Sequence, residues 1–332
     1  MQVSPIPIRA DSPRSTPKLK GCSSSRYDGR PGGRYDYRKQ IAIDNSQLAN
    51  YISYMATEQY ASESTTKYLA RPDGRIGYDV QGDGPLVLLV PGMGELRSSY
   101  RFLAPALVAA GYTVVTTDLR GHGDRDTSFT HYGDVETAGD IEALLQELGQ
   151  PAVVVGNSLA AGAAVIVDAE HPELVDGLVL IGPFVRNPPA NAFGQAMFRV
   201  LMAPLWVAAV WKAYMPTLYA GQKPVDFAQY RESVQASLRR PAYGKAFSQT
   251  TRQTDHALAE ARLVDVTAPV LVVMGSRDPD FNDPAGEARW IGDTLHADIV
   301  MVPESGHYPQ SQQPQITADA VLAFLKTGVH HA

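Results

Sequence analysis

Short runs of apolar and β-branched residues recur along this chain: LVLLV at 86–90, TVVTT at 113–117, AVVVG at 152–156, GLVLI at 177–181 and VLVVM at 270–274. A strand with one wet face alternates apolar and polar side chains, so unbroken runs of this length mark strands buried on both faces. Helical spacing fills the intervals, around 100–110, over Val135–Leu148 (apolar at Ile141, Leu144, Leu145 and Leu148) and over Leu159–Ala169. Strand and helix in alternation demand a mostly parallel, doubly wound sheet with helices on both faces, the α/β class.

Ahead of these runs, TKYLARPDGRIGYDVQGDGP (66–85) reads as two strands joined at Pro72-Asp73-Gly74. The alternation stops between 184 and 262, where the text turns helical and aromatic (Phe193, Phe198, Trp206, Trp211, Tyr214, Tyr219), punctuated by Pro188, Pro189, Pro204, Pro216, Pro224 and Pro241. It resumes with APVLVVMG, an amphipathic segment near Ala285–Leu295, ADIVMVP and a closing helix at Ile316–Leu325. The expected layout is a core of residues 65–183 and 263–327, with a helical cap (184–262) inserted between late strands. That cap would cover the carboxyl edge of the sheet, where open α/β sheets bind ligands. The longest apolar patch, LMAPLWVAAVW at 201–211, contains a proline and is too short to span a membrane, so it belongs on the cap's surface or in its pocket. Residues 1–54 read as a disordered basic extension rich in Pro, Ser and Gly, with nine Lys or Arg against three acids in the first forty positions.

A net charge of −6 gives no general attraction to nucleic acid or anionic membrane. The single cysteine, Cys22, cannot form an internal disulfide, and no signal-length apolar stretch opens the chain, so a cytoplasmic location is expected. No Cys/His cluster has zinc spacing and no glycine loop suits a phosphate, so neither metal nor organic cofactor is expected. The expected partner is a small-molecule substrate; oligomeric state is left open.

Gly156-Asn157-Ser158-Leu159-Ala160 lies where a valine strand passes into a helix. A serine there is either a helix cap or a nucleophile raised on a sharp turn, and small neighbours such as Gly156 and Ala160 are what the turn needs. A serine hydroxyl needs a base to take its proton and a carboxylate to orient that base. Downstream, GSRDPD places Asp278 beyond one buried strand and SGHYPQSQQP places His307 beyond the next, in the chain order serine, acid, histidine. Asp280 is the alternative acid. His122 in DLRGHGD precedes the serine and reads as loop packing, while His171, His296, His330 and His331 read as solvated.

Over residues 65–327 the sequence resembles the α/β-hydrolase superfamily, on VPGMG, DLRGHGD, GNSLA, GSRDPD and SGHYPQSQQP in that order. The resemblance implies the α/β-hydrolase fold, a nucleophile elbow at Ser158, a triad of Ser158, Asp278 and His307, and an oxyanion hole from the backbone N–H groups of Met93 and Leu159. Pro91 stands where many members carry His before Gly92, and Ala160 where many carry glycine; neither change removes a backbone donor. Members that open epoxides or displace halide through an alkyl ester use aspartate at the elbow, so Ser158 disfavours those reactions. The expectation is a cofactor-independent serine hydrolase, a carboxylic ester hydrolase acting on a small apolar substrate, with Phe198, Trp206 and Trp211 as cap residues that touch it. Asn157 beside the serine resembles carbon–carbon bond hydrolases. That activity, a lactonase, a cofactor-free haloperoxidase-like enzyme and a non-enzymatic ligand receptor on the same fold are the alternatives.

Overall fold

The computed structural model describes residues 66–188 and 192–327. The extension expected over residues 1–54 lies outside these, as does the side chain of Phe193. The chain runs β1 (Lys67–Arg71), β2 (Gly74–Gln81), β3 (Leu86–Val90), α1 (Leu103–Ala109), β4 (Thr113–Thr117), α2 (Asp134–Leu148), β5 (Ala152–Asn157), α3 (Leu159–Glu170) and β6 (Val175–Ile181). Five helices follow: α4 (Ala192–Leu201), α5 (Val207–Leu218), α6 (Phe227–Leu238), α7 (Tyr243–Gln253) and α8 (Ala257–Arg262). The sheet then resumes with β7 (Val270–Gly275), α9 (Pro284–Leu295), β8 (Asp298–Val302), the short α10 (Pro309–Gln312) and α11 (Pro314–Thr327).

The strands form one eight-stranded sheet in the order β1-β2-β4-β3-β5-β6-β7-β8. The pairs from β4 through β8 are parallel, and β1 and β2 are antiparallel additions at one edge. This is the α/β-hydrolase fold. The unbroken apolar runs have the reason expected of them. Leu88, Val90, Val115, Val154, Leu178, Leu180, Val272 and Met274 point into one core layer with α2, α3 and α9. Their neighbours Val87, Leu89, Val114, Val153, Val155, Val179, Ile181, Leu271 and Val273 point into the other, with α1 and α11. Each full burial of such a side chain contributes about 1.5–3 kcal/mol, so polar substitution on either face is penalised.

Strand order reverses between β3, whose successor β4 lies on one side, and β5, which lies on the other. At such a switch point the loops leaving the two strands diverge and open a crevice at their carboxyl ends. Helices α5–α7 build their own apolar cluster, with Met202, Val207, Trp211, Met215, Tyr219, Tyr230 and Phe247 buried and Met93 and Leu96 of the β3 loop packed against it, whereas Ala259 of α8 joins the first core layer. The apolar patch at 201–211 divides accordingly: Met202, Val207 and Trp211 are buried, whereas Leu205 is 87% exposed. Pro216, expected to punctuate the helices, lies inside α5, two residues before its end, where one missing N–H interrupts little of the ladder. No helix among the described residues is long and apolar enough to cross a membrane.

Candidate active site

The β3 and β5 loops meet at the switch point. Ser158 directly follows β5 and takes φ 59°, ψ −123°, a region L-residues avoid, before α3 begins at Leu159. Its position is that of a helix cap, but its side chain makes no capping hydrogen bond. The hydroxyl is therefore left for the cavity above, whose lining includes Ser158, Met93, Trp211 and His307. Tight turning explains the flanking residues: a Cβ on Gly156 would collide with the Ala160 carbonyl oxygen and stand 2.7 Å from the Ala161 nitrogen. Gly92 on the β3 loop comes equally close, since a Cβ there would stand 2.8 Å from the Ser158 Cβ.

Two further loops deliver the expected partners. Asp278 follows β7 and His307 follows β8, and the imidazole Nδ1 lies 2.7 Å from Asp278 Oδ2. Asp280, the alternative acid, is 3.6 Å from the same nitrogen and accepts a hydrogen bond from the Tyr214 hydroxyl at 3.0 Å. Asp278 thus makes the direct hydrogen bond and Asp280 supplies a second charge beside it. With Nδ1 engaged, Nε2 is the nitrogen left for Ser158. The serine and the imidazole line one cavity without hydrogen-bonding to each other; such contacts often tighten only with substrate bound.

Burial lowers the proton affinity of His307, but the charges of Asp278 and Asp280, the hydrogen bond to Asp278 and the charge of Glu95 outweigh it and raise its pKa to about 9. Asp278, Asp280 and His307 are also a group of three whose ligand atoms lie within 4.8 Å of one another. A metal ion there would have to displace the Nδ1–Asp278 hydrogen bond.

The histidine loop is held by Gln312, whose Oε1 accepts from the Gly306 N–H at 3.0 Å and whose Nε2 donates to the Ala220 and Gln222 carbonyls, both at 2.8 Å. Asn157 joins this loop to the elbow by donating to Ile181 O at 2.9 Å and His307 O at 3.3 Å. The β3 loop is fixed at Gly94, whose N–H donates to His122 Nε2 at 3.0 Å and whose carbonyl accepts from Trp211 Nε1 at 2.9 Å. His122 is buried, its Nδ1–H donates to Arg120 O at 2.8 Å, and burial lowers its pKa, so it is a neutral structural acceptor. Between these anchors the Met93 N–H, and across from it the Leu159 N–H, donate to nothing among the described residues.

Of the expected cap contacts, Phe198 and Trp211 line the cavity of about 770 Å³. Trp206 does not: it precedes α5, is 43% exposed, and its Nε1 donates to Val200 O. Several residues that no sequence pattern marks also shape the site. Glu95, fully buried, accepts hydrogen bonds from Tyr230 and, at 3.4 Å, Tyr219, and its Oε1 has no partner. Burial raises this carboxyl to about 7, against the pull of Tyr230, Arg101, His307 and Tyr219. Phe184 and His256 line the cavity as well.

Comparison with known proteins agrees with this architecture. The chain is 29% identical over 265 residues to a 2-(acetamidomethylene)succinate hydrolase of Mesorhizobium japonicum, covering 76% of this chain and 92% of that protein. Among solved structures, a bromoperoxidase from Bacillus anthracis superposes with a TM-score of 0.69 at 18% identity, covering 80% of this chain and 100% of that one. A bacterial membrane phospholipase A gives 0.67 at 21% identity, covering 87% and 96%. Residues 87–320 match the alpha/beta hydrolase family as a whole, well over half of the chain, and the sheet order and the turn at Ser158 agree with that match: the protein is a member of the alpha/beta hydrolase family.

Proposed function

We propose that the protein is a serine hydrolase that cleaves a carboxylic ester through an acyl-enzyme intermediate. The observation that carries this reading is the uncapped hydroxyl of Ser158, held at positive φ in the cavity lined by the Asp278-bonded imidazole of His307. Ser158 Oγ attacks the acyl carbon while His307 Nε2 takes its proton, and Asp278 stabilises the resulting imidazolium. The oxygen that becomes negative accepts hydrogen bonds from the Met93 and Leu159 N–H groups, and loss of one such donor typically costs about 10²- to 10³-fold in kcat. The imidazolium returns its proton to the departing alkoxide as the C–O bond breaks. Water then attacks the acyl-enzyme with His307 as base, releasing the acid and restoring Ser158. Phe198 and Trp211 give the cavity an apolar wall for the acyl chain. Nothing in this sequence of steps requires a metal or an organic cofactor.

Nucleophiles other than serine would support different chemistry. An aspartate would form the alkyl ester of epoxide opening, whereas Ser158 forms an acyl ester. Steady turnover of p-nitrophenyl esters of graded chain length tests the reading, with Ser158→Ala as the control. Wild type turns over at least one chain length and the variant loses at least ~10³-fold in kcat. Equal rates for both proteins on every ester would refute it.

A further inference from the structure

The cavity holds a second imidazole with its own carboxylate. His256, between α7 and α8, lines the same space as Ser158 and His307. Its ring stacks on Phe184 at 5.4 Å between centroids, and Phe184 meets His307 edge-on at 5.9 Å, so a phenyl ring stands between the two imidazoles. His256 Nδ1 lies 2.6 Å from Oδ1 of Asp134, whose side chain has no solvent exposure. The other Asp134 oxygen accepts from the Asp255 N–H at 3.2 Å, and the His256 backbone N–H donates to Asn187 Oδ1 at 3.1 Å. Ring and carboxylate are therefore fixed, and Nε2 is the one polar atom of the ring without a partner among the described residues.

The charges around it are unbalanced in one direction. Arg252, in the last turn of α7, and Arg199 on α4 line the cavity, and neither makes an ion pair or hydrogen bond among the described residues. The cavity's carboxylates are already engaged: Asp255 accepts from Asn187 Nδ2 at 2.7 Å and Ala257 N at 3.1 Å, and Asp280 accepts from Tyr214 and flanks His307. A guanidinium and a carboxylate-backed imidazole facing one space without partners are complementary to an incoming anion.

We propose that His256 and Arg252 form an anion subsite that receives a carboxylate carried by the substrate, on the far side of Phe184 from the bond attacked by Ser158. Arg252 supplies a permanent positive charge. His256, with Nδ1 held on Asp134, presents Nε2 to the carboxylate as its second contact. The substrate class is thus the ester of a compound with a second, free carboxylate.

The inference rests on the serine hydrolase reading for where the ester sits, and the experiment separates the two. Monoesters of p-nitrophenol with succinate through suberate are compared with the corresponding terminal carboxamides, which match them in size but lack the charge. The wild type favours the carboxylate at one chain length by about tenfold in kcat/KM, expressed in KM. Arg252→Gln and His256→Gln each bring that ratio toward one, while Arg252→Lys keeps part of it. Arg252 is exposed, so its substitution tests the idea even where His256→Gln fails to fold. A wild-type ratio near one at every length, or a preference that survives both substitutions, overturns the proposal. If no ester is turned over, calorimetric titration of Ser158→Ala with the monoamides of the same diacids against their diamides decides it. Binding of the monoamide that is lost in Ser158→Ala/Arg252→Gln upholds the subsite while the hydrolase reading falls; equal or no binding overturns the subsite.

Discussion

Replacing Glu95 with Gln removes a buried titratable group and leaves its shape. The carboxyl is fully buried and raised from its ordinary 4.5 to about 7, because removal from water penalises the charged form more than Tyr230, Arg101, His307 and Tyr219 favour it. A carboxyl that holds its proton more tightly when folded leaves the unfolded chain with fewer bound protons between those two values. Stability must therefore fall as pH rises across that window and level off above it. At about 1.4 kcal/mol per pH unit the loss comes to roughly 3 kcal/mol. Glu95→Gln is neutral throughout. It should match the wild type within about 1 kcal/mol at pH 5 and exceed it by about 3 kcal/mol at pH 8. His307 is coupled to it, because the Glu95 charge is among those that raise the imidazole to about 9; its own contribution is complete below its ordinary value of 6.5 and is lost as pH climbs through 9. The difference between the two proteins therefore reports Glu95 together with its coupling to His307, and its sign up to pH 8 is set by the Glu95 carboxyl. Urea unfolding at pH 5, 6, 7 and 8, analysed by linear extrapolation, measures that difference. A constant gap across the series, or one that narrows toward alkaline pH, would refute the reasoning.

Two more perturbations bear on the site. On the serine hydrolase reading a neutral His307 is needed as base, so kcat/KM for an ester should rise with pH through a midpoint near 9; Asp280→Asn removes one of the charges that raise His307, so its midpoint should shift to lower pH, as stopped-flow measurements across pH 6–10 can read. Gly156→Ala drives a methyl group into the Ala160 backbone, which α3 cannot readily yield, and should cost at least about 2 kcal/mol in chemical denaturation.

What could be read from the sequence was local. The runs LVLLV, AVVVG and VLVVM announce strands because their two faces are both dry, and the helices between them follow from spacing. Gly156 and Ala160 pointed to a sharp turn because small size at both positions is a steric demand of the backbone alone. The hidden residues are those whose meaning lies in a distant partner: Glu95 meets Tyr230 across 135 positions, His256 meets Asp134 across 122, and Gln312 reaches Ala220 across 92. None of these pairs leaves a periodic trace. Trp206 and Trp211 show a related limit. Trp206 sits just ahead of α5 and is 43% exposed while Trp211 lies inside the helix and is buried, so two tryptophans in one apolar stretch meet different surroundings.

The seam between α5 and the loop carrying His307 constrains how any molecule gets in. The His307 N–H donates to Leu218 O at 2.8 Å, and Gln312 is bonded to Ala220 and Gln222 just beyond that helix. Swinging the whole helical insertion upward would break these bonds or pull His307 along with it. No such tie is seen among the described residues of α4, where Met197, Phe198, Val200 and Leu201 present apolar surface to water. Along this edge, roof and floor are thereby stitched into one mechanical piece, so the position of His307 is inherited from the helix above it as much as from the strand below.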